Sequence, residues 1–283
     1  QAGVHMIVGH SHSFDAPILR LRALIASGRY GRVRMIHAMN YTDFLYRPRR
    51  PEELDTRAGG GVVFSQAAHQ MDMVRLLCGG EVTSVRALTG RWDPARPTEG
   101  AYSALLTFAN GAFASATYNG YGYYDTDVLM DDIGEMGTPK PADAHLQTRT
   151  RLRLAADEAA EAALKSQRNF GGPQYVPARV GPPDACQHFG PVLVSCERGD
   201  LRLTPLGVQV IDQGGTRFVP VKLPAVARAE VIDELWGVAR QGLAPMHGGR
   251  WARATLEVCL AILSSQQSGA DIMLTHQVPV PRS

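Results

Sequence analysis

The sequence predicts an α+β protein: a large, mostly antiparallel open sheet with flanking helices, preceded by the last βα unit of a Rossmann-like domain. Three observations predict it. Short alternating or apolar runs follow one another from Val33 to residue 223 with few helical segments between them, as hairpin-connected strands do. Asn110-Gly111 divides two of those runs and is a strong hairpin signal. The opening residues read differently, as strand, polar loop and helix.

Taken in order, the apolar run from Val4 to residue 10 reads as a buried strand entering the polar loop His10-Ser11-His12-Ser13. Ile18, Leu21, Leu24 and Ile25 then fall at helical spacing, and Gly28 closes the helix. Gln1-Ala2-Gly3 looks like a helix end ahead of the first strand, so a further segment is expected upstream. Alternation begins at Val33, and further strands are expected at 82–92, 101–108, 112–118, 127–133, 191–197, 201–205, 207–212 and 216–223. A stretch from Thr138 to Gly190, rich in proline, glycine and charge, interrupts them and carries one helical piece near 155–167. An insertion of that length reads as a lid or an interaction arm. Helices near 226–241 and 250–266 and a short strand at 272–274 complete the reading, which divides the chain into 1–31 and 32–283.

Composition narrows the function classes. The chain of 283 residues is 45% hydrophobic and 20% charged, with a formal net charge of +2, as ordinary globular proteins are. No basic tract marks a nucleic-acid face, and no apolar run nears the roughly 18 residues of a membrane span. Neither partner is expected. Cys78, Cys186, Cys196 and Cys259 form no CxxC pair, which argues for a reducing, cytoplasmic setting and against a metal site.

The densest chemistry follows the glycine run Gly59-Gly60-Gly61. Ser65, Gln66, His69 and Asp72 recur at helical offsets that put all four on roughly one face, while Ala67, Ala68, Met71, Val74 and Leu77 supply a buried side. A lone helical histidine is more often structural than catalytic. These neighbours make His69 a candidate general base for an alcohol proton. The glycines lack phosphate-loop spacing, so close backbone packing is the simpler reading. Tyr46-Arg47-Pro48-Arg49-Arg50 is either a solvated basic loop or a grip for a carboxylated substrate. His10 and His12 lie beyond the end of the first predicted strand, where α/β folds bind ligands, and Asn40 and Thr42 are candidates for lining the same space. The tyrosines Tyr118, Tyr121, Tyr123 and Tyr124 read more as packing than as binding, although Gly120, Gly122 and Asp125 among them are unlike a core; Tyr124 is kept as a substrate candidate.

The order of parts resembles a known family. The phrases that carry it are Ile-Ala-Ser-Gly-Arg-Tyr-Gly-Arg-Val, Gly-Gly-Gly with His-x-x-Asp, Gly-Leu-Ala-Pro-Met-His-Gly-Gly-Arg and Ser-Gly-Ala-Asp-Ile-Met-Leu. Together they resemble the glucose–fructose oxidoreductase/inositol dehydrogenase (Gfo/Idh/MocA) family over nearly the whole chain outside the insertion. The stretch from Asn40 through the arginine loop to His69 is similar to the phthalate cis-4,5-dihydrodiol dehydrogenases within it. The resemblance implies NAD or NADP as cofactor, His69 on the family's catalytic histidine, and His12 and Ser13 where many relatives carry arginine in the substrate or cofactor pocket. His10 and Ser13 are the cofactor-side candidates. Ser65 stands where sugar enzymes have an aspartate supporting the histidine. The GxGxxG turn and the Glu-Lys-Pro segment do not occur here, so the family's catalytic lysine falls on no residue of this sequence. The expectation is an NAD(P)-dependent dehydrogenase of a carboxylated arene cis-dihydrodiol, forming a homo-oligomer through the open sheet face. A sugar or inositol dehydrogenase and a non-catalytic binding or oligomerisation module are the alternatives.

Overall fold

The computed structural model describes residues 4–9, 11–141, 143–176, 181–226 and 228–281. Among them a nine-stranded sheet runs in the order β8-β7-β6-β5-β1-β4-β3-β2-β9. Its strands are β1 (Val33–Tyr41), β2 (Val82–Gly90), β3 (Ala101–Phe108), β4 (Phe113–Asn119), β5 (Val192–Cys196), β6 (Gly199–Thr204), β7 (Gly207–Asp212), β8 (Gly215–Pro220) and β9 (Ile272–Met273). Every neighbouring pair is antiparallel except β1 with β4, which is parallel.

One face of the sheet is covered and the other is open, as the period-2 patterning requires. Ile36, Ala38, Ala104, Leu106, Ala114, Ala116 and Val194 are buried beneath helices α1 (Ala16–Ala26), α2 (Ala68–Cys78) and α6 (Gly249–Ser268). At one level of the open face, register lines up Arg86, Leu105, Ser115, His37, Leu193 and Arg202 across six strands. Leu105 keeps 47% of its surface exposed and Leu193 38%. Pro17 presets the first turn of α1, whose Ile18 and Leu21 are fully buried, so this helix shares its core with β6, β7 and α2.

Several expectations are corrected. Residues 4–9 are no buried strand: Ile7 makes a single antiparallel bridge to Gly248, and Val4 and Met6 are exposed. With one neighbour to pair with, the segment builds no ladder. The strand expected at 127–133 is a 3-10 helix, Thr126–Met130, because the Asp125 side chain accepts from the Asp127 N–H and caps a turn instead. The insertion holds two helices, α3 (Leu146–Leu152) and α4 (Glu158–Arg168), where one was expected. Helix α4 is tied down by polar contacts: Glu161 accepts from Arg96 at 2.8 Å and from the Arg49 N–H at 2.7 Å, and Lys165 pairs with Glu53. Helix α5 (Ala229–Gln241) precedes α6.

Candidate active site

The glycine run packs as expected, against backbone and a carboxylate. A Cβ on Gly60 would lie 2.5 Å from the Glu52 carbonyl oxygen, and one on Gly61 would lie 2.0 Å from Glu99 Oε1. Gly61 also holds φ at +81°, which disfavours other residues. Glu99 accepts from the Val63 N–H at 3.2 Å and so satisfies an orphan donor of the following helix. That helix opens with a π-turn, Val63–Ala67, before settling into α2. Such turns insert an extra residue per turn and are frequent at functional sites.

The four polar residues expected on one face are divided between the π-turn, with Ser65 and Gln66, and α2, with His69 and Asp72. Ser65 donates back to the Gly61 carbonyl at 2.5 Å. Asp72 is fully buried, and its Oδ1 accepts from Trp251 Nε1 at 2.7 Å and from Thr255 Oγ1 at 2.6 Å. Asp72 therefore belongs to the α2–α6 interface.

His69 itself is half-buried in a cage of rings. His12 meets it edge-on with centroids 5.2 Å apart, and Phe189 lies at 5.5 Å. Phe189 stacks in turn on Tyr118 at 5.9 Å. The Tyr118 hydroxyl exchanges a hydrogen bond with Thr42 Oγ1 at 2.9 Å and donates to Gln66 Oε1 at 3.3 Å. Burial raises the Tyr118 phenol above its ordinary range, so it stays a donor.

His12 is buried between two carboxylates. Its Nδ1 lies 2.9 Å from Asp15 Oδ2 and its Nε2 3.3 Å from Glu135 Oε1. Burial alone would lower its pKa, but the bonds to both acids outweigh that and push it up to about 9, so both ring nitrogens donate. Burial would raise Glu135; the His12 bond and the charges of His12, Arg47 and His69 instead bring it down to about 2.

Arg47 is the arginine of the loop that turns toward this cage. Its Nε donates to Asp43 Oδ1 at 2.8 Å, while its terminal nitrogens bond to none of the described residues. With Asn40, Thr42, Glu135, Lys140 and Gly190 it lines a cavity of about 250 Å³. The His69 ring is not among those walls and adjoins them through His12 and Glu135. Asn40 is buried, its Oδ1 accepting from Thr126 Oγ1 at 3.3 Å, and Lys140 pairs with Asp125 and Asp127.

The remaining candidates lie elsewhere. Arg49 donates to the Phe44 carbonyl at 2.9 Å and stacks on the Phe44 ring, and Arg50 is exposed and paired with Glu52 and Glu53. The three guanidinium groups thus have different partners and do not converge on one another. Tyr124 is 49% exposed and packs edge-on against Tyr41. Ser13 is fully buried with its Oγ 2.9 Å from His247 Nε2. His10 lies outside the described residues.

Residues 18–161 match the family model for the GFO/IDH/MocA C-terminal domain. The chain belongs to the Gfo/Idh/MocA family. It is 47% identical over 263 residues to the 1-carboxy-3-chloro-3,4-dihydroxycyclohexa-1,5-diene dehydrogenase of Comamonas testosteroni, covering 93% of this chain and 66% of that one. It is 28% identical to an inositol 2-dehydrogenase of Streptomyces avermitilis over 54% of this chain and 43% of the relative. Among solved structures, a protein of Bordetella bronchiseptica RB50 described as a dehydrogenase shares 44% identity with a TM-score of 0.88, covering 96% of this chain and 70% of that one.

The described residues bring together one half-buried imidazole, a protonated imidazole and a guanidinium anchored by Asp43. Glu234, His247 and Ser13 do form a chain of contacts at 2.8 and 2.9 Å with the order of an acid–base–nucleophile triad. Both Ser13 and His247 are completely buried, however, and His247 stacks on Phe14 at 3.6 Å, so this chain fastens α5 to the 3-10 turn Ser11–Phe14. No group of three or more His, Cys, Asp or Glu among the described residues is placed to hold a metal. Sequence reasoning missed Glu135, just before the insertion, and Phe189, at its end, which carry no local signal of their role. It also set Tyr118 aside as packing, although its hydroxyl serves both Thr42 and Gln66.

Proposed function

We propose that this chain is the substrate-binding and proton-abstracting part of an NAD(P)-dependent dehydrogenase acting on a carboxylated cis-dihydrodiol of an aromatic ring. The observation that carries the reading is Arg47: a guanidinium pinned by Asp43 through one nitrogen, with its other nitrogens bonded to no described residue and lining a 250 Å³ cavity beside the His69 cage. A fork of that kind suits one carboxylate. The Comamonas relative, whose name specifies a carboxylated dihydroxycyclohexadiene, supports the same class.

NAD or NADP, when bound, supplies the hydride acceptor. This chain's residues do the rest. Arg47 orients the ring through its carboxylate, with Asn40 and Thr42 lining the same wall. His69 accepts the hydroxyl hydrogen as the carbinol carbon is oxidised, and the ketone formed tautomerises to a catechol. Rearomatisation makes the conversion downhill, so positioning and one proton transfer are what the protein must provide.

The test uses the intact protein with its cofactor. His69→Gln is expected to lower kcat by about 10²–10⁴-fold. Arg47→Met is expected to raise KM for a carboxylated dihydrodiol by about 10–100-fold and to leave a neutral diol unaffected. Turnover of inositol with none of dihydrodiols would select the sugar-type alternative. The partially apolar open face of the sheet supports a homo-oligomer as its covering.

A further inference from the structure

Around the Arg47 cavity carboxylates outnumber cations, and Glu135 is one of the surplus. Two cations stand there, His12 and Arg47, and each has an acid of its own: Asp15 at 2.9 Å from His12 and Asp43 at 2.8 Å from Arg47. Lys140, on the same wall, is satisfied by Asp125 and Asp127. Glu135 is a further carboxylate beside cations already neutralised.

Its attachment is also the weakest. Charge-assisted bonds of this type run to about 2.7–2.9 Å, whereas Glu135 Oε1 stands 3.3 Å from His12 Nε2. Its Oε2 has no partner among the described residues, and the side chain is 29% exposed. The backbone carrying it is firm by contrast. The Gly134 N–H donates to the Thr138 carbonyl at 2.8 Å, Lys140 N–H to Asp132 at 2.8 Å, and His188 N–H to the Glu135 carbonyl at 3.3 Å. A fixed turn thus presents a loosely held carboxylate on the wall it shares with Arg47.

We propose that the Glu135 carboxylate, held by His12 on the wall it shares with Arg47, opposes a second anion in that cavity, and that a carboxylated ligand reaches Arg47 by displacing it from His12. The proposal rests on the carboxylate-anchor reading of Arg47 and adds a selectivity element to it. A neutral ring cannot replace the charge that Glu135 gives His12, so it leaves Glu135 in place. A carboxylated ring exchanges one anion for another. Protonation does not release Glu135 near neutrality, because both cations favour its charged form.

The experiment measures binding of benzoate, with benzamide as the neutral probe, to the full chain and its variants by calorimetry. Glu135→Gln keeps size and an acceptor oxygen but removes the competing charge. It is expected to tighten benzoate by about tenfold and leave benzamide unchanged. Structural damage would weaken both probes, so a gain confined to the anion is diagnostic. No gain for benzoate, whether from unchanged affinity or from undetectable binding in both proteins, overturns the displacement. Arg47→Met, made alone and together with Glu135→Gln, separates the two readings. If it weakens benzoate while Glu135→Gln has no effect, only displacement falls. If it leaves benzoate binding intact, the anchor reading falls and the inference with it.

Discussion

His12 shows how an interior imidazole becomes a fixed charge. Asp15 and Glu135 on its two nitrogens hold the ring protonated to about pH 9, against an ordinary value of 6.5. Because the folded-state value is the higher one, the stabilisation is complete below about pH 6.5 and is lost as pH rises through 9. Urea midpoints are expected to fall across that interval, and His12→Gln should flatten the decline while lowering stability at pH 6. A pH-independent difference between the two proteins would contradict the assignment. Arg47 and Arg49 teach a related lesson. Sequence treats them alike, yet one guanidinium lines a cavity and its neighbour two residues on is spent on the Phe44 carbonyl and ring. Arg49→Met is therefore expected to leave carboxylate selectivity unchanged in the same assay that Arg47→Met disturbs.

The element that matters most is the helix carrying His69, held at both ends by buried charge. At its start, Gly61 and Glu99 interlock, and Gly61→Ala adds both a clash and an unfavourable φ. A loss of more than about 1 kcal/mol is expected in denaturant titration. Further along, Asp72 and Arg75 hold α2 against α6: Arg75 donates to Thr255 Oγ1 at 2.7 Å, to the Trp251 carbonyl at 3.1 Å and to Gln277 Oε1 at 3.0 Å. Asp72→Asn weakens the charge-assisted bonds from Trp251 and Thr255 and removes the carboxylate that Thr255 links to that guanidinium, a loss of about 1.5–3 kcal/mol. If the variant unfolds at the wild-type midpoint, the interface owes nothing to that carboxylate. This helix was legible in the sequence as an amphipathic segment with polar residues after glycine. Its π-turn was not, since regular 3.6-residue offsets were what grouped Ser65 and Gln66 with His69. Nor could sequence alone bring Glu135 to His12, because that contact depends on how a turn 123 positions away folds back over the sheet.

At the scale of the whole molecule, the succession of antiparallel strands was legible where local alternation and hairpin turns specify it. Asn110-Gly111 joins β3 to β4 as expected, Asn110 Oδ1 accepting from the Ala112 N–H at 3.0 Å. The parallel β1–β4 ladder and the seating of the insertion on loop 47–54 depend on long-range packing and left no such trace. The open face, where Leu105 and Leu193 stay exposed, is the surface proposed for a second copy. Leu105→Arg and Leu193→Arg together are expected to shift sedimentation toward the monomer without changing the far-UV spectrum; unchanged mass in the double variant would remove this face from consideration.

The parallel pairing of β1 with β4 also bears on how the chain reaches its native state. Hairpins β2–β3 and β3–β4 close over short distances, but β1 waits for the stretch from Thr42 to Ala112 to arrange itself before its partner arrives. Contacts spanning such a separation slow the search, placing large sheet proteins in the millisecond-to-second range or beyond. Stopped-flow refolding followed by hydrogen exchange should find amides of Val82–Gly90 and Ala101–Phe108 protected before those of Val33–Tyr41, leaving the central strand as the last to be sealed.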